Sequence, residues 1–272
     1  MRRFVAAKHI NLLRSLWRYR GFVASTVARE FQVRYQNSLL GVLWTVLNPL
    51  AMILIYTLIF SRVMQARMPG IESPFAYSIF LMSGLLPWGL FSEILMRNQN
   101  LFLENANLLK KVSFPKICLP VIALCNCLVN FAIVFSLFLL FLLWDGHLAG
   151  GPLLAFFPVL LLQIALAVGL GLILGVLNVF FRDIGQFFNI FLQFWFWLTP
   201  ILYNINLLSE QVQRYLEMNP MTPIVKAYQA IFVHAQMPDW HSLLYPLLCA
   251  LVLNVLALRL YLRRSEEMVD EL

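Results

Sequence analysis

The chain has 272 residues, 61% of them hydrophobic and 12% charged, with a mean hydropathy of +0.78. That apolar share exceeds the roughly 45–50% of soluble domains and excludes an ordinary soluble globular protein. The net charge of +7 would suit nucleic acid only if the cations formed one solvated patch, and their positions instead follow a membrane topology.

Residues 1–37 read as a cytoplasmic N-terminus carrying Arg2, Arg3, Lys8, Arg14, Arg18, Arg20, Arg29 and Arg34. Within it Leu12, Leu16, Tyr19, Val23, Val27 and Phe31 recur at steps of four and three, while Arg14, Arg18, Ser25, Arg29 and Gln32 lie opposite. The spacing predicts an amphipathic helix of membrane-surface type. Such a helix fits a plain lipid anchor, or an anchor that is also a gate or docking surface. A long apolar run begins only near residue 37, behind these cations, which is not the pattern of a cleavable signal peptide. The first span itself should then serve as the targeting signal.

About 20 apolar residues at 1.5 Å each cross a hydrocarbon core of about 30 Å. Five uncharged runs reach that length, at 36–61, 73–92, 117–144, 146–181 and 184–209, and a shorter sixth lies at 240–258. The expected fold is therefore all-α and polytopic, a six-span transmembrane domain over 38–262 with a cytoplasmic tail at 263–272. Residues 218–233 are apolar too, but Pro220, Pro223 and Lys226 break them, so they read as re-entrant or interfacial. Six spans put sixteen cations on one side and only Arg62, Arg67, Arg214 and Lys226 on the other. Short cytoplasmic loops are enriched in Lys and Arg, which places both termini in the cytoplasm.

Between the second and third spans, residues 98–115 have room for a short helix with Leu101, Leu108, Leu109 and Phe114 beside Glu104, Lys110 and Lys111. An apolar strip on a cytoplasmic loop fits a protein partner or a second interfacial helix. In the fourth span Ala167, Gly171 and Gly175 fall four apart, where another helix backbone can approach closely. Gly169, Gly171 and Gly175 do not have the spacing of a dinucleotide fingerprint. The fifth span carries eight aromatics between Phe187 and Tyr203, with Phe187, Phe191 and Phe194 on one face. Aromatic faces can stack on sugar C–H groups, whereas Trp and Tyr near span ends also anchor helices at the interface. Trp195 and Trp197 fit either role.

Absent patterns narrow the chemistry further. No G-x-x-x-x-G-K-[ST] occurs, so any ATP must be bound by a partner. The spans are nearly free of ionisable groups, with Glu93, Arg97, Arg182 and Asp183 reading as boundary charges, which disfavours an ion-coupled carrier. Cys118, Cys125, Cys127 and Cys249 lie in apolar runs without disulfide or zinc spacing. His9, His147, His234 and His241 lie outside or at the edges of the spans and assemble no metal or nucleophile–base cluster from neighbouring residues.

Six strings in order then resemble the membrane subunit of type-two ABC transporters that export polysaccharides, the O-antigen, capsule and teichoic-acid permeases. They are FQVRYQNSLLGVLWTVLNPL (31–50), SGLLPWGLFSE (83–93), FLENANLLKKVSFPKICLP (102–120), NVFFRDIGQ (178–186), FWLTPILY (196–203) and NPMTP (219–223). The resemblance implies a homodimer of six-span subunits in the bacterial cytoplasmic (inner) membrane. Two cytoplasmic ABC ATPase subunits would bind ATP and magnesium, with no cofactor or metal in this chain, no catalytic residue, and no nucleic acid as partner. It implies a lipid-linked polysaccharide as substrate, with a path lined by Tyr35, Trp44, Tyr56, Phe187, Phe191, Phe194, Trp195 and Trp197. It assigns ATPase coupling to the 102–115 connection, through Phe102, Glu104, Asn107, Leu108, Leu109 and Lys110, and re-entrant gate helices to about 204–236. Arg29 and Arg34, by their position, are candidates to hold the lipid pyrophosphate head at the cytoplasmic entrance. Two other functions remain open on the sequence: an ABC exporter permease for a drug or lipid, and a membrane subunit of glycan synthesis.

Overall fold

A computed structural model of the chain describes residues 17–35, the isolated positions 43, 47, 50, 51, 54, 55 and 58, and residues 75–111, 116–146, 150–265 and 267–271. The described residues form helices and connections without strands. In chain order these are α1 (Arg20–Tyr35), α2 (Ala76–Glu104), α3 (Ala106–Lys111), α4 (Cys118–Asp145), a 3-10 turn (Gly151–Ala155) leading into α5 (Phe156–Phe180), and α6 (Asp183–Trp197). A further 3-10 turn (Ile205–Leu207) precedes α7 (Glu210–Glu217), α8 (Met221–Phe232), α9 (Leu244–Arg264) and α10 (Glu267–Glu271).

Among the described residues, four stretches are long and apolar enough to cross a membrane: Ala76–Glu104, Cys118–Asp145, Gly151–Phe180 and Leu244–Arg264. They correspond to the second, third, fourth and sixth expected runs. The first run, 36–61, lies outside the described residues apart from the isolated positions. The fifth differs from its expected bounds of 184–209, because α6 has 15 residues and stops at Trp197. Pro200 has no amide proton to continue the ladder, and it pushes Thr199 out of helical conformation. Thr199 Oγ1 instead donates back to the Trp195 carbonyl at 2.8 Å. At 1.5 Å per residue α6 is about 22 Å long, less than a hydrocarbon core of about 30 Å.

The second run also differs, and in the opposite direction. α2 continues past Ser92 to Glu104, so Glu93 and Arg97 lie inside one unbroken 29-residue helix. They are paired with each other. Arg97 Nε donates to Glu93 Oε1 at 3.0 Å, and Asn130 Nδ2 of α4 donates to the same oxygen at 2.8 Å.

α5 is the central helix, and small residues explain how close its neighbours come. A Cβ on Gly175 would lie 2.3 Å from the Asn98 carbonyl oxygen of α2, and one on Gly171 would lie 2.9 Å from Asn98 Cβ. The Ala167, Gly171, Gly175 face is thus where α2 packs. Gly169 looks the other way, where a Cβ would meet the Asn254 amide nitrogen of α9 at 2.9 Å. Asn254 Nδ2 closes that contact by donating to Ala165 O and Ala250 O, both at 2.7 Å. Close backbone approach and side-chain amides are the means by which helices associate where apolar burial gives no preference over lipid.

The 218–233 segment forms α8, a 12-residue helix held in the protein core, with Met221, Ile224, Val225, Tyr228 and Ile231 fully buried. Aromatic rings fill the space around it. Phe135 stacks on Phe156 with centroids 4.3 Å apart, and Phe138 meets Phe232 edge-on at 5.4 Å. Burial in protein is what makes short, broken helices tolerable beside lipid. Elsewhere Leu140, Leu143, Leu248, Leu251 and Val252 are exposed along α4 and α9, as suits helices whose solvent is hydrocarbon.

α1 docks on α4 through the apolar face expected of it. Val23 is buried against Cys118 and Ile122, with Tyr19, Val27, Val121 and Cys125 around them. Asn126 Nδ2 of α4 donates to Glu30 Oε2 at 2.6 Å and ties the polar side of the contact.

Candidate functional site

α6 divides its side chains cleanly. Gly185, Phe188 and Leu192 are buried toward the bundle, while Phe187, Phe191, Phe194 and Trp197 are exposed at helical spacing on the outer face. Four aromatic rings therefore form one accessible row. Trp195 is set differently, turned inward with its ring edge-on to Phe91 at 5.2 Å and to Trp88 at 6.2 Å. Its indole Nε1 donates to Asn219 Oδ1 at 2.8 Å. A half-buried tryptophan with its N–H satisfied fixes the helix end that carries the row.

Both ends of α6 are held by polar groups that the sequence reading did not single out. At its start, Asn178 Oδ1 accepts from the Gly185 amide at 3.0 Å while Asn178 Nδ2 donates to the Gln99 carbonyl at 3.0 Å. Gln99 Nε2 donates in turn to the Gly185 carbonyl at 3.0 Å. A side chain at Gly185 would crowd this ring of bonds, since its Cβ would lie 3.1 Å from both Asn178 Oδ1 and Gln99 Nε2, which would have to give by a few tenths of an ångström. At its end, Asn219 also donates to Thr199 Oγ1 at 2.9 Å and accepts from the Met221 amide at 3.0 Å. The turn after α6 is further tied by Gln229 Nε2 to Pro200 O at 3.1 Å and Tyr77 OH to Leu202 O at 2.9 Å. The one signal for these residues was the rarity of Asn and Gln in apolar segments.

Of the other expected path residues, Trp44 and Tyr56 lie outside the described residues, as do the side chains of Tyr35 and Arg34 on α1. Arg29 is exposed on α1. The expected coupling segment is divided by the fold. Phe102 is fully buried and stacks on Tyr261 of α9 at 6.2 Å, and Leu109 is buried in the same cluster with Leu101, Val176 and Met268. Asn105 Nδ2 bonds the Leu101 carbonyl at 2.8 Å and marks the break between α2 and α3. Glu104, Asn107 and Lys110 are exposed and Leu108 half-buried, so three polar groups, not an apolar strip, face outward. Residues 112–115, including Phe114, lie outside the description.

The sequence pattern of the ABC-2 type transporters matches residues 23–233, from α1 through α8. The chain belongs to the ABC-2 type transporter family. It is similar to the O-antigen export system permease protein RfbA of Myxococcus xanthus, 34% identical over 265 residues, which cover 97% of this chain and all of the relative. A protein of the same name from Klebsiella pneumoniae is 28% identical over 86% of this chain and 88% of its own length. The polysialic acid transport protein KpsM of Escherichia coli is 27% identical over 91% of this chain and 95% of its own. As an ABC-2 type transporter with several apolar helices, the chain is a multi-pass membrane protein.

Within this ABC-2 type transporter the Asn219 hub makes a direct prediction. Asn219→Leu removes several bonds at once and leaves the Trp195 indole N–H unsatisfied, a loss of about 2–4 kcal/mol at roughly 1 kcal/mol per bond. The detergent-solubilised protein should melt well below the wild type. An unchanged melting curve would show that the hub contributes nothing to holding the aromatic row.

Proposed function

We propose that this chain is the permease subunit of an ATP-driven exporter of a polysaccharide. The observation that carries this function is the end-to-end similarity to an O-antigen export permease. The exposed row Phe187, Phe191, Phe194 and Trp197 supplies suitable chemistry, because ring faces hold the C–H faces of sugars weakly and without regard to sequence position. Repeated weak contacts let a long polymer move, whereas one tight site would stop it.

In this proposal two copies of the chain surround the path, each with six spans. Run 36–61 is the first span and brings Tyr35, Trp44 and Tyr56 to the substrate, and α6 with the turn after it is the fifth. The segment from about 204 to 236 forms re-entrant gate helices, and both termini lie in the cytoplasm of a bacterium whose inner membrane holds the complex. A separate ABC ATPase binds ATP and magnesium and pushes on the connection between α2 and α4. Glu104, Asn107 and Lys110, with Leu108 beside them, make the contact, while Phe102 and Leu109 transmit it by being packed into the bundle. Trp195 positions the row and touches substrate less than its neighbours do. Arg29 and Arg34 hold the anionic lipid head at the entrance.

Cells lacking the chain are expected to accumulate finished polymer inside and lose it from the surface. Loss of the polymer altogether would move the chain to glycan synthesis, and a normal surface with altered compound resistance would make it a drug or lipid exporter. When such cells are supplied with a tagged copy of the chain, reversing both exposed charges with Glu104→Lys and Lys110→Glu should lower recovery of the co-purifying ATPase about tenfold or more, since like-charge contacts at an interface cost several kcal/mol. Full recovery would remove these residues from the coupling contact. Leu109→Asp is not an equivalent test, because it unfolds the end of the bundle.

A further inference from the structure

Between α2 and α6 lies a cavity of about 520 Å³, within the size range of small-ligand sites. It lies beside the exposed aromatic row but is lined differently. Trp88 and Phe196 form one end, with centroids 5.7 Å apart at 60°, and Trp197 stands against Phe196 at 5.5 Å and 77°. Ser92, Asn189 and Gln193 supply the polar lining. Asn189 Oδ1 is buried and has no hydrogen-bond partner among the described residues. The Ser92 hydroxyl spends its proton on Gly89 O at 3.0 Å and so turns acceptor lone pairs outward. Acceptors that lack donors, between aromatic walls, fit a ligand rich in hydroxyl groups and with apolar faces.

Among the described residues the lining contains no Asp, Glu, Lys or Arg. The nearest charges along α2, Glu93 and Arg97, are paired with each other and held by Asn130 on α4. Nothing in the described lining would neutralise a carboxylate or phosphate, and desolvating an unpaired anion here would cost far more than its hydrogen bonds return.

We propose that this cavity is a binding site for a neutral sugar unit of the exported glycan, with Asn189, Gln193 and Ser92 hydrogen-bonding its hydroxyls and Trp88, Phe196 and Trp197 packing on its faces. The site presupposes the export function proposed above, and it adds a selection: neutral over acidic units.

The test is photochemical capture in the chain's own host. A benzoylphenylalanine is placed at Phe196, a conservative aromatic exchange, or at Met96 on the cavity rim, and the cells are irradiated during export. Glycan should become attached at both positions, its hydrolysate should contain neutral sugars, and Asn189→Leu with Gln193→Leu should lower the yield about tenfold, the loss of one to two hydrogen bonds. The same probe at Leu140, on the exposed face of α4, should capture none. Export at the wild-type level without capture at either cavity position overturns the site. So does an undiminished yield in the double variant, or a purely acidic captured glycan. Should neither probe-bearing chain reach the membrane, tryptophan fluorescence of the purified full-length chain, titrated with the host's deacylated glycan, decides. The double variant must then bind about tenfold more weakly. Failure of the wild-type chain itself to support surface glycan would instead overturn the export function.

Discussion

Gly175→Val is expected to abolish recovery of folded protein from the membrane. The Cβ it introduces would lie 2.3 Å from the Asn98 carbonyl oxygen and 3.4 Å from Phe102 Cε2. The first of these is a backbone atom of α2, so no rotamer change relieves the contact, and the two helices must part by about 1 Å at their closest point. They are not free to do so. Gln163 Nε2 of α5 donates to Pro87 O of α2 at 2.7 Å, and Asn178 of α5 donates to Gln99 O at 3.0 Å. Separation stretches both bonds, each worth about 1 kcal/mol, on top of an overpacking cost of about 1–3 kcal/mol. A sum of that size is a large fraction of a typical net stability of about 5–15 kcal/mol. The measurement is the monodisperse fraction after detergent extraction, followed by size-exclusion chromatography. Gly89→Ala is the control, since a Cβ there meets nothing within 4 Å. Normal elution of the valine variant would mean that α2 and α5 are not packed as described.

Arg97→Leu is expected to destabilise the fold strongly while leaving the close backbone contacts between helices alone. Among the described residues it removes one of two donors to Glu93 Oε1 and leaves the carboxylate on an apolar helix with Asn130. Breaking one side of a buried ion pair costs about 3–5 kcal/mol, and the partial exposure of both side chains, 26% and 31%, brings this down to about 2–3 kcal/mol. Replacing both members, Glu93→Leu with Arg97→Leu, should recover most of the loss, because a pair costs its desolvation whether or not it is satisfied. Thermal unfolding of the three variants in one detergent compares them. A double variant as unstable as the single one would show that the pair itself, and not the orphaned charge, matters.

These two sites illustrate how much was legible beforehand. The Ala167, Gly171, Gly175 face was visible as small residues four apart, and the structure places α2 on it. Its partner atom, the Asn98 carbonyl, was not visible, since a backbone oxygen leaves no mark on the sequence. Glu93 and Arg97 looked like charges at the end of a span because Ser92 closes an uncharged run. Their pairing at i and i+4 and the amide of Asn130, 37 residues on, let α2 continue through them. The break after Trp197 had a signal in Thr199 and Pro200, but the apolar run continued past it and hydropathy alone could not show where the helix ends.

The aromatic segment shows the same division within a single helix. Spacing alone put Phe187, Phe191 and Phe194 on one face, because a helix repeats every 3.6 residues wherever it lies. It did not separate Trp195 from Trp197, which differ only in whether Asn219 and Phe91 are within reach. Leu101 and Leu109 likewise read as part of a strip awaiting a partner, until Tyr261, from the far end of the chain, joined them and Phe102 in one buried cluster.

By itself the sequence determined that this is a helical membrane protein, that long apolar helices lie near 117–144, 146–181 and 240–258, and which face of α5 admits a close neighbour. In a bilayer these follow from local rules, since a helix satisfies its own backbone hydrogen bonds and needs about 20 apolar residues to cross. Only the tertiary structure decided which aromatics are exposed, which leucines are buried, how Glu93 is satisfied, and that a cavity opens between α2 and α6. Each of those depends on atoms from helices distant in sequence, and helix packing against helix in an apolar solvent is chosen by shape and by single hydrogen bonds, which hydropathy does not encode.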